Sequence, residues 1–100
     1  MKNILLVCNA GMSTSLLVNK MKEAAKEKGI EVNINALPVA ECQSVIDTVD
    51  IVLLGPQIRF QKPQIEKYTQ GRIPVEVIDM RAYGTMNGKA VLETALKAIK

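Results

Sequence analysis

Short runs of branched apolar residues, each too brief for a helix, place the strongest constraint on the fold of this chain. Residues 3–8 (NILLVC) and 50–54 (DIVLL) are nearly continuous apolar runs, which are typical of strands buried on both faces of a sheet. Residues 75–78 (VEVI) form a further short run, and residues 30–36 alternate apolar with polar side chains, as strands near a sheet edge do. The sequence therefore predicts four strands.

The segments between and after these runs have the features of helices. Residues 13–28 carry apolar side chains at helical spacing on one face, and Gly29 suits the left-handed residue that follows a helix. Further helical segments are predicted at 38–48, 62–69 and 89–99, and a loop is predicted at 80–88.

Alternation of strands and helices predicts an α/β fold with a four-stranded, mainly parallel sheet and helices on both faces. If the first strand is central, the strand order is 2-1-3-4. Ligands of such sheets bind at the carboxyl ends of the strands, where the strand order reverses. The functional site is therefore expected beside the loop that follows Cys8. The one hundred residues are expected to form a single domain.

Composition argues against several classes of function. The net charge of +3 is not concentrated in a basic block and aromatic residues make up only 3%, so nucleic-acid binding is not expected. The chain contains no histidine, which excludes Ser-His-Asp and Cys-His catalytic pairs, histidine metal sites and a phosphohistidine on this chain. No metal or cofactor is expected.

Neither a membrane span nor a secretion signal is recognisable in the sequence. No run of about 18 apolar residues occurs, and the apolar stretch after the N-terminal Met-Lys-Asn is too short for a signal peptide. We therefore expect a cytoplasmic protein that does not insert into the membrane. In that reducing compartment the two cysteines, Cys8 and Cys42, are expected to remain free thiols.

The loop after the first strand has the features of a phosphate cradle. Gly11 allows the backbone to curl, and a helix start with three hydroxyl residues follows it. A phosphate there would meet aligned N–H donors and the positive end of the helix dipole. Seven consecutive residues without proline can donate backbone N–H groups: Asn9, Ala10, Gly11, Met12, Ser13, Thr14 and Ser15.

Cys8 stands at the end of a strand and just before this helix start. Such a position lowers the pKa of a thiol from about 8.5, so Cys8 is predicted to be a nucleophilic thiolate near neutral pH. The alternative is a core residue, because cysteine is among the most buried residue types. For Cys42, which lies in a weakly helical segment, the core interpretation is preferred.

Comparison with other phosphate motifs favours a carrier over a hydrolase. Neither a G-x-x-x-x-G-K-[ST] nor a G-x-G-x-x-G motif is present. Cysteine-based phosphatases place an arginine six residues after the nucleophile, whereas this chain has Thr14 there. Without that guanidinium, transfer to water should be slow. A phosphatase-like enzyme and a redox or sulfur-carrying cysteine remain as alternatives, although no C-x-x-C motif is present.

Three stretches of the sequence resemble one protein family. They are LVCNAGMSTSLLV at 6–18, VLLGPQI at 52–58 and PVEVID at 74–79. They resemble the IIB component of the lactose/cellobiose class of the phosphoenolpyruvate-dependent sugar phosphotransferase system. The resemblance covers essentially the whole chain and is nearer to the cellobiose and diacetylchitobiose branch than to the lactose branch.

This resemblance implies a fold similar to that of low-molecular-weight tyrosine phosphatases. It also implies that Cys8 accepts a phosphoryl group from a histidine of a IIA partner and donates it to a sugar bound by a membrane-embedded IIC component. A β-linked disaccharide such as cellobiose or diacetylchitobiose is the expected sugar. The resemblance also assigns the phosphate cradle of the family to residues 10–15 of this chain. Gln57 and Tyr83, at predicted carboxyl ends of strands, are possible rim contacts or, alternatively, a loop residue and a packing residue.

Overall fold

A computed structural model describes residues 2–8 and 12–99 of the chain. The strands are β1 (Lys2–Cys8), β2 (Val32–Pro38), β3 (Ile51–Leu54) and β4 (Val75–Val77). The α-helices are α1 (Met12–Lys28), α2 (Val39–Cys42), α3 (Lys62–Thr69), α4 (Met80–Gly84) and α5 (Gly88–Ala98). Two 3-10 segments, Gln43–Thr48 and Pro56–Gln61, follow α2 and β3.

The four strands form one parallel sheet in the order β2-β1-β3-β4. Leu6 pairs with Ala36 of β2 on one side and with Leu53 of β3 on the other. The predicted order and the central position of β1 are confirmed, and β2 is an edge strand as its alternating pattern indicated.

Side chains of β1 point alternately into two apolar clusters, one on each face of the sheet. Ile4 and Leu6 belong to the cluster that α1 and α5 cover, whereas Leu5 and Val7 belong to the cluster under α2 and α3. All four side chains are buried. This two-sided burial explains why the run is continuously apolar, because a strand with one solvated face would alternate.

Helix α1 ends in a Schellman motif, and β2 consequently starts later in the sequence than predicted. Gly29 has a φ of 68°, and its N–H donates to the carbonyl of Lys26. The N–H of Ile30 donates to the carbonyl of Ala25 at 2.9 Å. Because these two residues complete the helix cap, β2 begins at Val32 rather than at the predicted residue 30.

The prediction of a loop over 80–88 is wrong, because that stretch contains α4 and the first residue of α5. The carboxylate of Asp79 accepts a hydrogen bond from the Ala82 N–H at 3.0 Å and caps α4. The side chain of Asn87 accepts one from the Ala90 N–H at 3.1 Å and caps α5. A helix of five residues is too short to show apolar periodicity, so only its capping residue could have indicated it.

Helices α1 and α5 run side by side in the same direction. Gly88, at the start of α5, lies so close to α1 that an added Cβ would be 2.4 Å from the carbonyl carbon of Lys20. At the C-terminal end of α1, the Lys28 ammonium donates to the Glu93 carboxylate of α5 at 2.6 Å, and this hydrogen bond lowers the pKa of Glu93. The close approach of the two backbones therefore depends on glycine at position 88.

Replacing Gly88 with alanine should force α5 away from α1 and lower the free energy of unfolding by about 2 kcal/mol, within the range for overpacked cores. Urea denaturation followed by circular dichroism would measure this as a lower midpoint with an unchanged slope. Gly84→Ala is the matched control, because a Cβ at position 84 meets no atom within 4 Å. Equal midpoints for the two variants would contradict the proposed role of Gly88.

Candidate functional site

The carboxyl edge of the sheet is the edge at which the strands β1, β3 and β4 end. β1 ends at Cys8, which pairs with Pro38 of β2, and β3 ends at Leu54. The Gly55 N–H donates to the Val7 carbonyl at 3.0 Å, so the turn after β3 is held directly beside the end of β1. The chain leaves β1 toward the face covered by α1 and leaves β3 toward the face covered by α3. Cys8 therefore ends a strand where the connections diverge to opposite faces, which is where ligands of such sheets bind.

Helix α1 starts four residues after Cys8, at Met12. It is 17 residues long, and its first turn contains no acidic residue. The positive end of its dipole therefore points toward the carboxyl edge without a carboxylate to neutralise it. An anion or a thiolate at this edge would be stabilised by the helix.

Most of the predicted cradle lies outside the described residues. This is true of Asn9, Ala10 and Gly11, and also of the side chains of Cys8, Met12, Ser13 and Thr14. Ser15 is described and is exposed in the first turn of α1. The structure thus gives the strand end and the helix start that flank the cradle, while the cradle contacts themselves stay a prediction.

The two predicted rim residues lie in different environments. Gln57 is exposed in the 3-10 segment after β3, at the carboxyl edge. Tyr83 lies in α4 and is only 7% exposed, as a member of the apolar cluster that also contains Leu17 and Ile78. The ring of Tyr83 therefore packs in the apolar core. Contacts of Gln57 or Tyr83 with a phosphate stay a prediction.

Cys42 is a fully buried thiol, as the core interpretation predicted. It belongs to the cluster that includes Leu5 and Val7 beneath the sheet. Burial raises the pKa of this thiol above its ordinary value, since the thiolate would lose its hydration. Cys42 is consequently neutral and shielded at physiological pH, in contrast to the thiolate predicted for Cys8.

Exposed residues around the edge were not found by reading the sequence. Arg59 and Phe60 follow β3, and Met80 and Arg81 follow β4, and all four are exposed. For Phe60 and Met80, nothing in the sequence spacing distinguishes them from buried apolar positions, because their exposure depends on how the short segments after the strands pack. In the described part of the chain, no helix is long and apolar enough to cross a membrane.

Comparison with other proteins agrees with this architecture. The family described as "PTS system, Lactose/Cellobiose specific IIB subunit" matches residues 3–94. A curated relative, the PTS system oligo-beta-mannoside-specific EIIB component of Bacillus subtilis, is 50% identical over 97 residues, covering 96% of this chain and 94% of its own. The galactose-specific EIIB component of Lactococcus lactis subsp. cremoris is 42% identical, with 94% of this chain and 93% of its own covered.

Two solved structures have folds similar to that of this chain. The cellobiose-specific phosphotransferase IIB component of Borrelia burgdorferi is 47% identical, with a TM-score of 0.81 over 98% of this chain and 91% of its own. A mutant of YwlE from Bacillus subtilis shares the fold alone, with a TM-score of 0.58 and 14% identity over 98% of this chain and 93% of its own. With a family match over almost its whole length and relatives at 42–50% identity, this chain belongs to the lactose/cellobiose-specific IIB family of the sugar phosphotransferase system.

Proposed function

We propose that this chain carries a phosphoryl group on Cys8, accepting it from a phosphohistidine of a IIA protein and donating it to a sugar held by a membrane IIC protein. IIB components are phosphotransferase components of sugar uptake and work with IIA and IIC. The observation that carries the proposal is the position of Cys8 at the end of the central strand, four residues before the start of α1. The proposal includes a cytoplasmic location and a single domain over residues 1–100.

Loading of Cys8 is a displacement at phosphorus. The thiolate sulfur attacks the phosphoryl group, an S–P bond forms, and the P–N bond to the donor histidine breaks with its electron pair returning to the imidazole. Charge on the three phosphoryl oxygens is met by backbone N–H groups of residues 9–15 and by the N-terminus of α1. Since the chain has no histidine, the low pKa expected of Cys8 replaces a general base.

Unloading reverses the role of the sulfur. A sugar hydroxyl oxygen attacks phosphorus, the S–P bond breaks, and the thiolate leaves with the bonding electrons. The helix dipole that favours the thiolate as nucleophile also favours it as leaving group. The hydroxyl loses its proton to solvent or to a base of the membrane partner, and histidine of this chain cannot be that base because the chain has none.

Slow transfer to water distinguishes this carrier from a phosphatase of similar fold. Thr14 occupies the position six residues after Cys8 where a phosphatase loop has arginine. A phosphatase is the second candidate, because the loop after Cys8 is similar to that of cysteine-based phosphatases apart from this position. We therefore infer that the phosphocysteine survives long enough to meet a membrane partner.

A β-linked disaccharide such as cellobiose or diacetylchitobiose is the sugar we propose. Relatives with high identity are described as oligo-beta-mannoside-specific and cellobiose-specific, and another as galactose-specific. In this proposal the sugar is bound by IIC, so the chain described here meets it only at the transferred phosphoryl group.

The first test is to load the protein. Incubation with phosphoenolpyruvate, the general phosphotransferase proteins and a cellobiose-type IIA should add one phosphoryl group, seen by intact-protein mass spectrometry. Cys8→Ser should show no adduct, because it lacks the thiolate, whereas Cys42→Ala should be loaded like the unsubstituted protein. An adduct on Cys8→Ser, or none on the unsubstituted protein with two different phosphorylated IIA proteins, would overturn the proposal.

A second test compares the two thiols. The rate of iodoacetamide labelling, followed by peptide mapping over a range of pH, should give Cys8 a midpoint about one unit or more below 8.5. Cys42 should resist labelling until the protein is unfolded, because its thiol is buried and its pKa is raised. A Cys8 midpoint at or above about 8.5 would show that α1 does not activate the thiol.

A further inference from the structure

The sequence contains one Asn-Gly pair, Asn87-Gly88, and it lies in the turn between α4 and α5. Such a pair is chemically labile, because the backbone nitrogen of the second residue can attack the side-chain amide of the first. Glycine has no Cβ to hinder this approach and leaves the backbone free to rotate. Every other asparagine precedes a residue with a Cβ: Asn3, Asn9, Asn19, Asn33 and Asn35. By its sequence, Asn87 is therefore the asparagine most prone to lose its amide.

The reaction has two steps. The Gly88 nitrogen attacks Cγ of Asn87, a C–N bond forms, and the N–H proton passes to hydroxide or another solvent base. The side-chain nitrogen takes up a proton and leaves as ammonia, so the product is a five-membered imide. Water then adds to one of the two imide carbonyl carbons and opens the ring. One opening gives aspartate, and the other gives isoaspartate, in which the main chain runs through the side-chain carbonyl carbon.

Both residues of the pair have structural roles, but only the glycine is irreplaceable. The Asn87 side chain accepts a hydrogen bond from the Ala90 N–H at 3.1 Å and caps α5, a role that aspartate or serine can also fill. Gly88 is required by the close approach of α1, since an added Cβ would lie 2.4 Å from the carbonyl carbon of Lys20. The packing of the two helices thus imposes the residue that makes Asn87 labile.

The backbone conformation of Asn87 keeps the reacting atoms apart. Its φ of −80° and ψ of 77° are those of an inverse γ-turn, and the hydrogen bond of that turn runs from the Gly88 N–H to the Met86 carbonyl at 2.9 Å. In an L-residue, this ψ places the Gly88 nitrogen nearly opposite Cβ about the Cα–C bond. Ring closure needs the two atoms on the same side, so the chain must first rotate about this bond.

Other contacts oppose that rotation. The Asn87 N–H donates to the Ala82 carbonyl at 2.8 Å, and the Asn87 side-chain oxygen is held by the Ala90 N–H. Gly88 is buried and lies against the backbone of Lys20. The turn therefore cannot rotate into the reactive conformation while the first turn of α5 stays packed on α1.

We propose that Asn87 is the deamidation site of this protein, closed in the native state by the γ-turn and opened when the first turn of α5 separates from α1. The two products have different effects on the fold. Aspartate keeps the capping oxygen and adds a negative charge at the N-terminus of α5, where such a charge is favourable. Isoaspartate lengthens the main chain by one atom, which removes the cap and displaces Gly88 from α1.

Deamidation is followed in the unsubstituted protein at fixed pH and temperature, by peptide mapping that separates aspartate from isoaspartate at position 87. In guanidinium chloride above the unfolding midpoint, Asn87 should lose its amide faster than any other asparagine. Without denaturant the loss should be at least about tenfold slower, because it then requires local opening. Equal rates in the two conditions would overturn the proposal. Aspartate without isoaspartate would also overturn it, because direct hydrolysis of the side chain forms no imide.

A matched pair of variants tests whether the opening is local. Val91 in α5 and Val75 in β4 are both buried, but they belong to the apolar clusters on opposite faces of the sheet. Val91→Ala loosens α5 and should raise the rate at Asn87 without denaturant several-fold, whereas Val75→Ala removes the same side-chain volume and should leave the rate unchanged. Equal acceleration by both variants would show that the site opens only on global unfolding and would reject local opening.

Melting temperatures test the different effects of the two products. Asn87→Asp should melt no lower than the unsubstituted protein, because the cap is retained. Protein isolated with isoaspartate at position 87 should melt at a lower temperature. Equally low melting of both would contradict the role given to the lengthened main chain. None of these measurements involves phosphoryl transfer, so this inference stands or falls separately from the proposed function.

Discussion

Pairing of β1 between β2 and β3 is the constraint on which the rest of this structure depends. The residues Ile4–Val7 of this strand are hydrogen-bonded on both sides and buried on both faces, so neither register nor direction can shift without exposing apolar side chains. A strand held in this way ends at a fixed point. Cys8 occupies that point, and the Gly55 N–H on the Val7 carbonyl ties the neighbouring turn to it.

At this fixed strand end, the helix that is expected to activate Cys8 and the segments that carry exposed apolar side chains are different parts of the chain. In the proposed function, activation of the thiol depends on α1, which starts four residues later, whereas the exposed side chains Phe60 and Met80 come from the segments after β3 and β4. Substitutions in those two segments can therefore change the exposed surface while Cys8 stays in place.

The sequence predicted the sheet order and the position of Cys8, because the continuous apolar runs NILLVC and DIVLL indicate strands that are buried on both faces in the middle of a sheet. It missed α4, since a five-residue helix has no periodicity and only Asp79 signals its start. It also missed Phe60, because Ile58 and Phe60 are both apolar, and only packing of the 3-10 segment decides which one is buried. The cradle at residues 9–11 stays a prediction from the sequence.

The fate of the phosphoryl group tests the central claim, that this chain is a carrier rather than a hydrolase. Protein loaded on Cys8 and separated from its donor would be followed by mass spectrometry in buffer alone, with sugar, and with sugar plus membranes containing IIC. The account predicts slow loss in the first two conditions and rapid loss in the third, with one sugar phosphate formed for each phosphoryl group lost. Release of inorganic phosphate at the same rate in all three conditions would contradict it.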